Sequence, residues 1–248
     1  MKKLFVLFLL SSAALYTKAQ QVEFKINIPL NKSFKQTTIM KTDVEGEQSL
    51  IMDMNMKNTV TGIKKEGGNY VFESVTDAIK MDMDAGMMTM SYDSENPSDD
   101  PMAKMLAAEM EKLIGKKTVM TISEKGKLVD VAMPEGVDTP AGQSMENMGM
   151  TASYPDGAVN PGDTWNSEID SKQTKIKALN KYVGKDAEGY IIESTGDVFT
   201  PTDEKIGSFT SKYVLDEKTH YTKGANMKMD MDAQGQKVVI EMNITVTP

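Results

Sequence analysis

The chain contains no cysteine, no arginine, one histidine and one tryptophan. Without cysteine there are no disulfides, no thiolate metal sites, no cysteine nucleophile and no thiol to carry a lipid. Without arginine, every basic side chain except His220 is lysine, and the bidentate fork that reads phosphate or guanine is missing. The formal charge is −8. Nucleic acid, which needs a dense positive patch, is a poor partner, and anionic membrane surfaces are poor for the same reason. A Ser-His-Asp triad would have to use His220, and no glycine-flanked serine elbow accompanies it. The alternation around Thr219 and Tyr221 puts His220 on a strand, half exposed. No phosphate-cradling loop occurs, in either the Gly-x-x-x-x-Gly-Lys or the Gly-x-Gly-x-x-Gly form. Carboxylates are too numerous for one catalytic pair to stand out, and only Trp165 could stack on a sugar. The expectation is a protein that is not an enzyme, with no catalytic residue and no cofactor.

Long apolar runs are also missing. The longest, residues 4–15, is interrupted by Ser11 and Ser12 and falls short of the roughly 20 residues that span a bilayer. It follows Met1, Lys2 and Lys3 and precedes the small residues Thr17 and Ala19, which is the pattern of an export signal. Residues 1–19 are therefore expected to be a signal peptide cleaved near Ala19 and Gln20. That leaves one β-rich domain over 20–248, periplasmic or secreted, neither membrane-spanning nor lipidated. Losing Lys2, Lys3 and Lys18 with the signal takes the formal charge to −11.

What the chain has in abundance is period-two alternation. Leu50, Met52, Met54 and Met56 share one face, with Asp53, Asn55 and Lys57 on the other. Tyr221, Ala225, Met227, Met229 and Met231 alternate with Thr222, Asn226, Lys228, Asp230 and Asp232, and Val238, Ile240, Met242, Ile244 and Val246 with Lys237, Glu241, Asn243 and Thr245. Strands with one wet and one buried face produce this pattern. Turn residues punctuate it at Gly67-Gly68-Asn69, Ala85-Gly86, Lys125-Gly126, Asn160-Pro161-Gly162-Asp163 and Gln234-Gly235. The fold class is mainly β: antiparallel sheets forming a sandwich or an open half-barrel. One amphipathic helix interrupts the strands near 100–115. Asp99 or Asp100 caps it, Pro101 suits its first turn, Gly115 ends it, and Met102, Met105, Leu106, Met110 and Leu113 form its apolar stripe. A long crossing over 134–164, with a short helix near 141–148, separates two stretches with local likenesses. Residues 69–74 resemble 189–194, and the hairpin at 115–130 resembles that at 207–222. These likenesses allow, without requiring, pseudo-repeats over 20–133 and 160–248.

The Tyr-x-x-Glu-Ser strand ends at Tyr70 and Tyr190, the segment Pro155…Pro161-Gly162-Asp163-Thr164-Trp165 and the turn Leu215-Asp216-Glu217-Lys218-Thr219 resemble an uncharacterised family of exported bacterial proteins. That family is common in the Bacteroidota and known only as a domain of unknown function. The resemblance implies placement outside the cytoplasm and a β fold, and it implies no chemistry.

Two patterns could bear ligands. Met52, Met54 and Met56, Met81, Met83, Met87, Met88 and Met90, and Met227, Met229 and Met231 are clustered thioethers of the kind that suits Cu(I). Their strict alternation with polar residues fits core packing better, and His220 has the opposite parity to its neighbouring methionines. Asp230, Asp232 and Glu241 match part of a calcium loop, but Lys237 breaks the pattern and the flanks have strand period. A hairpin turning at Gln234-Gly235 instead pairs Met231 with Val238, Met229 with Ile240 and Met227 with Met242. On the wet face it sets Asp232 against Lys237 and Lys228 against Glu241. The reading is an exported protein binding an apolar small molecule or lipid in a Met-, Ile- and Val-lined sheet, with residues 100–114 covering the open side. The alternative is a structural or interaction module of the envelope, and copper binding stands third.

Overall fold

The computed structural model describes residues 21–46, 49–134, 151–170, 174–233 and 235–248. The expected signal peptide, the short helix near 141–148 and Gln234 lie outside the described residues.

Twelve strands form one sheet: β1 (Ser33–Glu45), β2 (Leu50–Glu66), β3 (Asn69–Asp84), β4 (Thr89–Asp93), β5 (Lys117–Ser123), β6 (Leu128–Ala132), β7 (Thr164–Asp170), β8 (Lys175–Lys185), β9 (Tyr190–Phe199), β10 (Lys205–Leu215), β11 (Thr222–Ala233) and β12 (Gln236–Thr247). Their order is β6-β5-β3-β2-β1-β12-β11-β10-β9-β8-β7, with β4 paired to β3 beside the main path. Every strand pair is antiparallel. Apart from β4–β5 and β6–β7, consecutive strands lie side by side, and the last strand pairs with the first. This is the order of an up-and-down barrel lacking one pairing, that between β6 and β7. Eleven strands laid flat would spread over roughly 50 Å at the usual strand spacing. Instead, side chains from β5 and β6 and from β7 and β8 line the same cavity, so the sheet is rolled up and its two edges flank a slot. Register shifts in the β2–β3, β8–β9, β9–β10 and β10–β11 pairings add local twist to the curl. Of the two expected architectures the half-barrel is the one formed.

The C-terminal hairpin has the expected register: Met231 faces Val238, Met229 faces Ile240 and Met227 faces Met242. Ala233 pairs with Gln236, and Gly235 takes φ +79, a backbone angle open to glycine because no Cβ intervenes. On the wet face Lys228 meets Glu241 at 3.7 Å. Lys237 stands opposite Asp232 but forms its ion pair with Glu45 of β1, at 3.5 Å. The neighbouring strand competes for the lysine, which two-strand reasoning does not see.

One helix, α1 (Pro101–Met110), is found among the described residues. Asp100 caps it, its Oδ1 accepting from the Met102 and Ala103 amides at 2.8 and 3.2 Å. The helix stops earlier than the expected stripe, and a turn carries the chain to Gly115, at φ +70. Met110 and Leu113 are buried against Met40, Met54, Met56, Ile79, Met81 and Tyr92, whereas Met105 is 67% exposed and does not belong to the buried face.

The opposite end is plugged by residues 21–32. Phe24, Ile26 and Ile28 enter a core with Tyr70, Phe72, Tyr182, Ile192, Tyr213, Leu215 and Tyr221. Backbone bonds tie the plug in place: Val22 and Val159 exchange two at 2.9 Å, Ile26 donates to Glu124, Asn27 to Thr219 and Asn31 to Gly62, the last three at 2.8 Å each. Lys125 Nζ donates to the carbonyls of Phe24, Pro155 and Asp156 at 3.0–3.3 Å. Gly126, at φ +78, passes against Ala152, whose carbonyl a Cβ there would strike.

Candidate functional site: a cavity inside the open barrel

Between the plug and the methionine-rich end lies a cavity of about 770 Å³. Its first wall comes from β1, β2, β3, β5 and β6, its second from β7 to β10 and β12, and residues 151–156 run along the slot. Met56, Met120, Ile122, Leu128, Val131 and Met133 supply apolar surface on the first wall. Trp165, Ile169, Ala178, Phe209, Met242 and Ile244 supply it on the second.

Methionine dominates the end away from the plug because cross-strand register aligns the three clusters. Met227, Met242, Met40, Met54 and Met81 stand side by side on five adjacent strands. Met40, Met54, Met81 and Met242 are buried, and Met227 is half-buried. One step outward, Met52 faces Met83 and Met83 faces Met90, all half-buried. Met229 and Met231 are half-buried too, packed with Ile176, Ala178, Val198 and Phe209. Met87 and Met88 depart from the expected cluster: they lie in the β3–β4 turn and are exposed. The helix covers the methionines of β1 to β3 and leaves the Met227–Met231 side uncapped by any described helix. An unbranched thioether adapts to gaps of irregular shape, so a methionine wall accepts varied apolar partners.

The polar lining escaped the sequence reading. Thr38, Asn58, Ser74, Thr76, Asn180 and Ser194 are all buried and all line the cavity, a polar belt across otherwise apolar strands. On the second wall the belt is internally bonded. Ser194 Oγ donates to Asn180 Oδ1 at 2.6 Å, and Asn180 Nδ2 donates to Ser167 Oγ at 2.9 Å and to the Trp165 carbonyl at 3.2 Å. The signal was parity. Asn58 continues the Met52–Met54–Met56 face, and Ser194 the Tyr190–Ile192 face. Charged side chains reach the cavity only at its edge, as the exposed Lys127, Asp156 and Glu168. Tyr213 also lines the cavity, and burial pushes its phenol up to about 12, so it stays neutral.

His220 does not lie on a strand. It ends the turn between β10 and β11 at φ +51, where Asp216 Oδ1 accepts from the Lys218 and Thr219 amides at 3.0 and 2.8 Å and from the Thr219 hydroxyl at 2.9 Å. The Asx-type turn, not strand period, sets its orientation. Its ring packs edge-on to Phe24 and Tyr190, with Nδ1 3.1–3.2 Å from the Lys25 backbone N and O. Its carbonyl accepts from the buried Tyr154 hydroxyl. Asp230, Asp232 and Glu241 lie along the paired strands β11 and β12, without the helices a calcium loop needs. Among the described residues no group of three or more His, Asp or Glu could hold a metal ion, and no helix is long and apolar enough to cross a membrane.

The fold is thus an open up-and-down β-barrel with an internal cavity. Residues 67–149 match the model of a family of unknown function, DUF6263. The Tyr70 strand end falls inside that match, and the 155–165 and 215–219 segments fall outside it. No curated protein matches the chain. Among solved structures, a lipovitellin described in terms of lipid–protein interactions is similar at 12% identity and a TM-score of 0.56 over 89% of this chain. The chain spans 25% of that lipovitellin chain. Likeness at this identity speaks for the fold alone. A DUF1329 family protein from Desulfovibrio piger ATCC 29098 aligns at 10% identity and a TM-score of 0.33, covering 86% of this chain and 85% of its own. A putative outer membrane lipoprotein-sorting protein domain from Vibrio parahaemolyticus aligns at 11% and 0.24, covering 92% and 88%. TM-scores of this size establish no shared fold.

Proposed function

We propose that the chain is an exported, non-enzymatic binding protein that holds an apolar, lipid-like ligand inside the open barrel. The observation that carries this reading is the cavity itself. At about 770 Å³ it falls in the size range of small-molecule sites, and an adaptable methionine wall adjoins it. A module that served only as scaffold would gain more by closing the sheet and filling that space, since packed interiors carry few voids larger than a water molecule. The lipovitellin likeness supports the reading, because that protein is described in terms of lipid–protein interactions. Against catalysis, His220 is spent on the plug, with its ring nitrogen on the Lys25 backbone. The methionines act as packing surface in this reading, and copper has no part in it.

Native mass spectrometry of protein taken from its own cells tests the reading. Co-purified apolar species that solvent extraction removes are expected. A bare polypeptide mass, with no species recovered on extraction, contradicts it.

A further inference from the structure

The two walls treat their buried polar residues differently. The β7–β9 wall satisfies its own, through the Ser194–Asn180–Ser167 chain. On the facing wall the side chains of Asn58, Ser74, Thr76 and Thr118 make no hydrogen bond to any described residue. Yet Asn58 is 3%, Ser74 7% and Thr76 9% exposed, and all four line the cavity. Register groups them: Asn58 of β2 stands opposite Thr76 of β3, and Ser74 of β3 opposite Thr118 of β5. Gln36 of β1, opposite Asn58, continues the row, and among the described residues its side chain reaches Thr38 alone, at a long 3.4 Å.

Buried polar groups without partners cost stability, and strand positions of this parity take valine or isoleucine readily. Three such groups, with the half-buried Thr118 beside them, face one cavity and call for a partner inside it. That partner carries no charge. The charged side chains of the lining are exposed at the slot, so an ionised carboxylate or phosphate drawn to the patch would be desolvated without a counter-charge. A hydroxyl, ester or amide suits the patch, because serine, threonine and asparagine each donate and accept.

Building on the proposed apolar-ligand reading, we propose that the ligand is an amphiphile with an uncharged head. Its polar group is held by Asn58, Ser74, Thr76 and Thr118, and its apolar chain lies along Met56, Phe209 and Met242. The site is selective for neutral over anionic heads on the same chain.

Three probes separate this from the parent reading: N-phenyl-1-naphthylamine as an apolar dye, monoolein as a neutral-head amphiphile, and oleate at pH 8.5 as its charged counterpart. In the native chain, monoolein should displace the dye at least tenfold more effectively than oleate. In Asn58→Leu, Thr76→Val and the double variant, dye affinity should stay within about twofold. Monoolein affinity should fall about tenfold for each hydrogen-bonding group lost. Circular dichroism and thermal melting identify folded variants, and the monoolein–oleate comparison stands on the unmodified chain if a variant does not fold. The proposal is overturned if oleate competes as well as monoolein, or if folded variants bind monoolein like the native chain, which would leave the patch to cavity water. Failure of the dye to bind the native chain would overturn the parent reading and this proposal with it.

Discussion

His220 illustrates how the closed end is fastened by single residues. A positive-φ backbone, an edge-on aromatic pocket and a carbonyl given to Tyr154 all converge on it. Burial draws its imidazole below the ordinary 6.5, against the Lys25 backbone contact and the Asp216 carboxylate, which both favour the proton. Burial also works to raise the Asp216 carboxyl, but the Thr219 amide and hydroxyl and the Lys218 amide outweigh it and hold it below the usual range. The sign for His220 follows from linkage. Its folded-state value is depressed, so as pH falls through about 6.5 the unfolded chain takes up the proton first. Stability is full above that pH and declines towards the lower folded-state value. No other side chain ordinarily titrates in this window, since His220 is the only histidine. The urea midpoint of the native chain should drop between pH 7 and 5.5. His220→Asn, whose short side chain tolerates positive φ, should show a flatter profile over the same range. Equal slopes in the two proteins would refute the assignment. Little of this was legible beforehand: alternation alone put His220 on a strand, and the capped turn that displaces it depends on Asp216 bonding forward to Thr219. Asn58 and Ser194 were more accessible, since a polar residue in phase with an apolar face is visible without coordinates.

At the scale of elements, the C-terminal hairpin was readable because matched parity leaves only one register that keeps Met227, Met229 and Met231 off the wet face. The helix start was readable for the same local reason, as an Asp100 cap followed by Pro101. Its covered face was not, since which methionines of the stripe find the sheet depends on where the turn after Met110 leads. The plug also carried a signal, Val22, Phe24, Ile26 and Ile28 in alternation, although among the described residues it forms one isolated bridge and no strand. The contact with no local signature is the β1–β12 pairing, which joins the two ends of the sheet's chain path. It brings Thr37 opposite Thr245 on the outer face. Directly opposed residues in antiparallel strands have Cα atoms about 4.5–5.5 Å apart, within the span of a disulfide. The chain has no native cysteine to confuse the result. Thr37→Cys with Thr245→Cys should cross-link on mild oxidation, giving a faster-running species on a non-reducing gel. Absence of that species, with a cross-link instead from Thr37→Cys to Ile244→Cys, would show a different register.

At the scale of the molecule, a missing strand pairing goes with an open cavity, the candidate site. Closing the sheet at β12–β1 and leaving it unpaired at β6–β7 yields a rolled wall with a slot, a plugged end and a methionine-rich end. Sequence could name the wall residues but could not tell a cavity wall from a core wall, because both alternate identically. Only the long-range closure, which no local pattern encodes, decides between them. The most direct test is a fluorescence titration with N-phenyl-1-naphthylamine on the native chain and on Ala178→Trp. Ala178 is buried on β8 and lines the cavity, so the indole would occupy the space a ligand needs. The account predicts saturable binding of the dye with a blue-shifted emission in the native chain. It predicts at least tenfold weaker binding in a variant whose circular dichroism and melting are otherwise native. Unsaturable dye fluorescence in the native chain, or unchanged affinity in the blocked one, would contradict the claim that the barrel interior is a ligand site.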